Sequence, residues 1–216
     1  SIFPVDTDMD GIVDEDDNCP NTPVGTTVGN DGCALPVVLG FSDVRLLGSI
    51  GADMFYFTFQ SEWKLMKHNS IDGITEVGTF PGEPLPNNGY NPSKIAQIDS
   101  TFYFIGSDST SGQELWKSDG TVAGTQLVKD INPGADGSLS VMTGWSPFVM
   151  ADVLYFVADD GSNGAELWKS DGTTQGTELV YDIEPNSGDS YPRDFVLYNN
   201  QLYFVASDNA NGDELW

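Results

Sequence analysis

Near the amino end, residues 6 to 19 read Asp-Thr-Asp-Met-Asp-Gly-Ile-Val-Asp-Glu-Asp-Asp-Asn-Cys. With Asp6 as position 1 of a twelve-residue loop, carboxylates fall at positions 1, 3 and 5 (Asp6, Asp8, Asp10), at 9 (Asp14) and at 12 (Asp17). Gly11 stands at position 6, where the loop must turn sharply, and Ile12 at position 7 can offer its backbone carbonyl. Alternate residues of a curling loop point oxygens inward, which is ligand spacing for a hard cation. So many protein oxygens suit Ca2+ better than Mg2+, which prefers to keep its waters. Asp rather than Glu at position 12 shortens one arm and requires a tighter loop. Without an ion these carboxylates repel one another, so the segment is expected to order when calcium binds. The plainer alternative is an acidic linker that binds nothing.

Cys19 and Cys33 follow the loop, with Pro20, Pro23, Gly25, Gly29 and Gly32 among them, which leaves little room for a helix or strand. A disulfide closing this roughly 15-residue loop would contribute about 3 kcal/mol in the chain-entropy model. Two free thiols are the competing reading. Zinc is a poor candidate, because it wants four soft ligands and the one histidine, His68, is distant in sequence. Calcium and a disulfide together point to an oxidising compartment outside the cytosol. The run from Asp6 to Cys19 and Pro20 resembles the thrombospondin type 3 repeat. Its extension over residues 21 to 33 is similar to the bacterial form, a spacer in large surface and secreted proteins. That resemblance covers about 30 residues and implies a calcium-stiffened connector rather than an enzyme.

Self-similarity organises the rest of the chain. Residues 114 to 134 read ELWKSDGTVAGTQLVKDINPG and residues 166 to 186 read ELWKSDGTTQGTELVYDIEPN, identical at 15 of 21 positions. A further ELW stands at Glu214, Leu215 and Trp216, and a decayed copy has Leu65-Met66-Lys67 with Gly73-Ile74-Thr75-Glu76-Val77. Ahead of each copy is an aromatic run: Phe55-Tyr56-Phe57, Phe102-Tyr103-Phe104, Leu154-Tyr155-Phe156 and Leu202-Tyr203-Phe204. Aligning the tyrosines gives spacings of 47, 52 and 48 residues.

Each unit reads as strands between turn signals, in the third unit roughly 147–151, 153–158, 166–170 and 177–183. Ser-Asp-Gly-Thr at 170 to 173 is a hairpin turn. A strand such as Leu154-Tyr155-Phe156-Val157, apolar on both pleat faces, must be covered on both. All-β, four-stranded units of ~50 residues, each sandwiched between neighbours, describe blades of a β-propeller. The ELWKSDGT pattern also resembles a repeat of large bacterial secreted and cell-surface proteins; it covers about residues 40 to 216 and implies propeller blades without implying a reaction.

Two regions are therefore expected: an irregular calcium-binding, disulfide-linked connector over 1–36 and propeller repeats over 37–216. The first strand falls at Val37-Val38-Leu39-Gly40, and the repeats amount to about 3.5, ending where the last two strands of a fourth unit should begin. A propeller of four to eight blades cannot close on that count, so a longer polypeptide is expected.

The same residues bound the function. A net charge of −25 repels phosphate backbones and anionic lipid, which argues against nucleic acid and membrane-surface partners. No apolar run approaches the ~20 residues that span a bilayer, and Ser1-Ile2-Phe3-Pro4 lacks the regions of a signal peptide. With 24 glycines and 12 prolines, the chain favours turns over long helices. Catalytic material is thin: one histidine, two cysteines, no carboxylate pair marked by spacing, and only Arg45 and Arg193 where sialidase-like propellers use three arginines.

Trp116, Trp168 and Trp216 recur at one place in the unit, which suits packing between blades better than sugar stacking. Glu114, Glu166 and Glu214 are expected to accept hydrogen bonds at a fixed place, and Asp119 and Asp171 to form turns. The loops at 107–112, 159–164 and 207–212 are hairpin material, or else oxygen-rich enough for a further calcium site. Asp-Ser-Thr at 99–101 and 108–110 resembles a bacterial O-glycosylation sequon. The expected role is a non-enzymatic structural or adhesive segment at the bacterial cell surface. Its partners would be other modules of a large polypeptide or cell-surface proteins. The alternatives are a glycan- or protein-recognition module and an ancillary domain of a secreted hydrolase.

Overall fold

The computed structural model describes residues 42–59, 61–69, 73–80, 95–139 and 147–216. The connector over 1–36 and the expected strand Val37–Gly40 lie outside the described residues, all of which belong to the unit Phe41–Trp216. Every regular element among them is a β-strand. The first sheet is β1 (Ser42–Ile50), β2 (Asp53–Phe59), β3 (Trp63–Asn69) and β4 (Gly73–Phe80). The second is β5 (Ala96–Ile98), β6 (Thr101–Asp108), β7 (Gly112–Ser118) and β8 (Gln126–Lys129). The third is β9 (Phe148–Met150), β10 (Val153–Asp159), β11 (Ala165–Ser170) and β12 (Glu178–Tyr181). The fourth is β13 (Arg193–Tyr198), β14 (Gln201–Asp208) and β15 (Gly212–Leu215).

Each sheet is an antiparallel meander with strands in chain order, a blade in shape. Short polar turns make this possible. The β9–β10 hairpin turns at Ala151 (φ 49°) and Asp152 (φ 60°), and the β13–β14 hairpin at Asn199 (φ 48°) and Asn200 (φ 62°). Two consecutive left-handed residues match the natural twist of the flanking strands. The expected strands of the third unit agree with β9 to β12 to within two residues at each end.

The second strand of the second blade, β6, is buried along almost its whole length because neighbouring sheets cover both its faces. In β6, Phe102 and Phe104 turn toward the first blade, where Phe102 meets Phe55 (ring centroids 5.4 Å apart) and Phe104 meets Phe57 (5.2 Å), both edge to face. Tyr103 and Ile105 turn the other way and pack with Leu154, Phe156, Ala158 and Trp168 of the third blade. Successive strand residues face opposite sides, so one aromatic run serves two interfaces.

Two sequence expectations are corrected. The fourth blade holds three strands rather than two, because Glu214 and Leu215 of the final ELW already belong to β15, which pairs along β14 from Asp208↔Gly212 to Val205↔Leu215. The tyrosine alignment is one residue out in the first blade. Lys67 stands opposite Phe55 just as Lys117 stands opposite Tyr103 and Lys169 opposite Tyr155. Phe55, not Tyr56, is therefore the counterpart of Tyr103. A one-residue slip exchanges the two faces of a strand, so Tyr56 occupies the place of Phe104.

Candidate functional site

The residues expected to ligate calcium (Asp6, Asp8, Asp10, Ile12, Asp14 and Asp17) and both cysteines, Cys19 and Cys33, lie outside the described residues. Among the described residues, the repeated polar motif supplies the most developed chemistry, and it does so in two successive blades.

Glu114 is fully buried on β7, yet every partner it has is a donor. It accepts the backbone N–H of Ser138 at 2.8 Å and of Asn132 at 3.1 Å, and the hydroxyl of Ser138. The loop after β8 is thereby fastened to β7, and Ser138 then accepts, through its carbonyl, the Asp159 N–H of the third blade at 3.1 Å. Glu166 repeats the arrangement, accepting the Ser190 hydroxyl at 2.6 Å and the N–H groups of Ile183 (3.1 Å) and Glu184 (3.2 Å). The Ser190 carbonyl accepts from Ser207 of the fourth blade at 2.8 Å. Burial outweighs these donors and pushes the Glu114 carboxyl up to about 7, and it raises Glu166 too. Glu214, at the same motif position, is exposed.

The Ser-Asp-Gly-Thr segments are built by their own side chains. Asp171 accepts the Thr173 N–H at 2.9 Å and its hydroxyl at 2.7 Å, while Ser170 and Thr177 join hydroxyls at 2.7 Å across the turn. Asp119, Thr121, Ser118 and Thr125 repeat every one of those contacts. Gly172 (φ +83°) lies against the preceding blade, where an added Cβ would stand 2.3 Å from the Tyr103 hydroxyl. Gly120 lies on Phe55 in the same way. Asp119 and Asp171 are turn formers, as the sequence suggested.

The motif tryptophans pack between blades. Trp168 is buried under Lys129, whose ammonium lies 5.5 Å from the ring centroid, and Trp116 meets Phe80 at 5.2 Å. Trp216 lies 6.3 Å from Tyr181 and is 37% exposed. In the loops before each motif, aspartate oxygens accept loop donors. Asp108 takes the N–H groups of Thr110 (2.7 Å) and Ser111 (2.8 Å) together with both hydroxyls, which holds its carboxyl down at about 2. Asp160 accepts from Ser162 and Asn163, and Asp208 from Ala210 and Asn211. Among the described residues, no three acidic, histidine or cysteine side chains converge as a metal site requires. The Thr110 hydroxyl of one Asp-Ser-Thr run donates to Asp108 at 2.8 Å.

Sequence reasoning missed Ser138 and Ser190, the partners of the buried glutamates, and Lys117 and Lys129, which reach across to the third blade. Lys117 donates to the Gly172 carbonyl at 2.8 Å and Lys129 to the Thr177 carbonyl at 2.7 Å. Both serines follow their glutamate by 24 residues, a regularity available in the sequence.

No family model matches the chain, and no curated protein matches it. Solved structures do. The computationally designed Ika8 protein aligns over 80% of this chain and 45% of its own, with 8% identity and a TM-score of 0.41. A puromycin hydrolase mutant aligns over 80% of this chain and 26% of its own, with 15% identity and a TM-score of 0.43. A mutant of the GH43 protein BlXynB from Bacillus licheniformis aligns over 81% and 38%, with 12% identity and a TM-score of 0.32. This chain thus spans less than half of each of these three. Strand order and pairing define the fold.

Proposed function

We propose that this chain is a non-enzymatic structural or adhesive segment of a larger bacterial surface or secreted protein, in which a calcium-stiffened connector presents β-propeller blades. The observation that carries the reading is the repeated Glu–Ser clamp. In two successive blades the motif's buried carboxylate is directed onto the chain's own loop, and that loop onto the next blade. Polar side chains used in this way make a rigid scaffold, the property a spacer or display module needs. The connector follows from the aspartate rhythm at Asp6, Asp8, Asp10, Asp14 and Asp17, with Cys19 and Cys33 joined in an oxidising extracellular setting. Calcium neutralises the carboxylates and fixes a loop that otherwise repels itself.

Limited proteolysis of the full chain tests this. In chelator, cleavage should concentrate within residues 6 to 33 and be suppressed when calcium is restored, and Asp10→Ala or Asp17→Ala should behave like chelation. Equal protection with and without calcium would remove the connector from the reading.

A further inference from the structure

A cleft of about 250 Å³ opens between the second and third blades, on the rim where the Ser170–Thr177 turn meets β7 and β8. Lys117, Gln126 and Leu127 line one side, and Thr173, Thr174 and Gln175 the other. This volume lies below the ~300–1,000 Å³ of pockets that enclose drug-sized ligands, so it suits one small ring. The chemistry of the walls is mostly amphoteric. The carboxamides of Gln126 and Gln175 are exposed and make no side-chain hydrogen bond among the described residues. Each offers a donor and an acceptor side by side, which matches a pair of neighbouring hydroxyls that both donate and accept. Thr174 donates its proton to the Val128 carbonyl at 2.8 Å, which leaves its oxygen as an acceptor. Lys117 gives one proton to Gly172 and keeps two, while Leu127 supplies an apolar surface.

Comparison of the repeats strengthens the assignment. The turns at 118–125 and 170–177 share sequence and hydrogen bonding except at two positions: Val122 and Ala123 in one, Thr174 and Gln175 in the other. Those two replacements both line the cleft. The turn does not need them for its own geometry, because Val122-Ala123 supports the same bonds; Thr174 uses its proton on the Val128 carbonyl, which leaves its oxygen and the Gln175 carboxamide to serve a ligand. The charge of −25 disfavours anions.

We propose that this cleft binds a neutral, hydroxyl-rich ligand of monosaccharide size, held by Gln126, Gln175 and Thr174. The proposal stands apart from the connector, so it is tested in calcium throughout. The full chain is titrated with glucose, galactose, mannose and N-acetylglucosamine while backbone amide shifts are followed by NMR. At least one sugar should give saturable shifts confined to residues 117, 126–128 and 172–175, with Kd in the range of about 1–10 mM. The double variant Thr174→Val/Gln175→Ala rewrites the turn as the Thr-Val-Ala-Gly-Thr already present at 121–125, so it retains a sequence known to form this turn. It should weaken binding at least about tenfold while the chain stays folded, with only the small fall in Tm expected from losing the Thr174–Val128 hydrogen bond. Gln175→Ala alone, which removes no side-chain hydrogen bond among the described residues, should weaken binding with Tm unchanged. Shifts that never saturate, that fall elsewhere, or that survive the double variant would overturn the proposal. So would tighter binding of glucuronate than of any neutral sugar.

Discussion

Glu114 and Ser138 stand 24 residues apart in sequence and form one buried unit, in which the serine gives both its N–H and its hydroxyl to the same carboxylate. That unit has a thermodynamic consequence. Glu114 titrates near 4.5 when solvated and near 7 in the fold, because burial disfavours its charged form more than its donors favour it. The folded chain therefore holds a proton that the unfolded chain has released. The stabilisation is complete below about pH 4.5 and is lost as pH rises through about 7, amounting to about 3 kcal/mol. Urea midpoints should rise as pH falls from 8 to 5, and Glu114→Gln should flatten that dependence. Glu166, also raised by burial, keeps part of it in the variant. A wild-type midpoint that does not change across this window contradicts the assignment. Relief of the general negative charge belongs mainly to lower pH, where ordinary carboxylates titrate.

Removing one donor tests the clamp without changing its charge inventory. Ser190→Ala deprives Glu166 of its 2.6 Å partner and leaves two backbone donors in place. A buried polar group that loses one partner costs roughly 1–3 kcal/mol. The loss should appear in urea melts. Amide exchange should quicken at residues 183–190 and at Ser207, which donates to the Ser190 carbonyl. Ser162→Ala, in an exposed loop, should leave both unchanged.

How much of this was legible in the sequence depends on what kind of signal carried it. The blades were legible because near-identical copies repeat their turn chemistry, and Ser-Asp-Gly-Thr fixes the β7–β8 and β11–β12 turns by side chains within eight residues. The register of the first blade was not. Its aromatic run Phe55-Tyr56-Phe57 looks like Phe102-Tyr103-Phe104, but an aromatic pattern without alternating polarity does not distinguish one face from the other. Lys67 does, because it pairs opposite Phe55 as Lys117 pairs opposite Tyr103. The glutamates were legible as structural residues, while the serines that satisfy them follow 24 residues later, outside the motif itself, and show only in the shared spacing of the two copies.

The turn glycines separate two costs that are usually mixed. Gly172 has φ +83°, and an added Cβ would stand 2.3 Å from the Tyr103 hydroxyl of the neighbouring blade. Gly134 has φ +129° with open space around it. Gly134→Ala should therefore cost only the strain of a disfavoured backbone, roughly 1–3 kcal/mol. Gly172→Ala should add an overpacking cost of roughly 1–3 kcal/mol. Equal losses in the two variants, measured by urea melts, would mean that contact between the second and third blades does not press on this turn.

Lys129 does two things at once: it donates to the Thr177 carbonyl at 2.7 Å and covers the Trp168 ring at 5.5 Å. The third blade places Tyr181 at the matching strand position, opposite Leu167 as Lys129 is opposite Leu115, and Tyr181 lies 6.3 Å from Trp216. In the first blade the matching position, opposite Leu65, is Gly78, and Phe80 meets Trp116 instead, so a different group covers the next blade's tryptophan in each blade. Lys129→Ala removes both the hydrogen bond and the cover and should cost about 1–2 kcal/mol. Lys129→Tyr keeps the cover and should recover at least half of that loss. Trp168→Ala removes the covered ring itself and should cost about 3–5 kcal/mol. If Lys129→Tyr were as damaging as Lys129→Ala, the hydrogen bond to Thr177 would be the whole of the lysine's contribution, and the ring contact would be incidental.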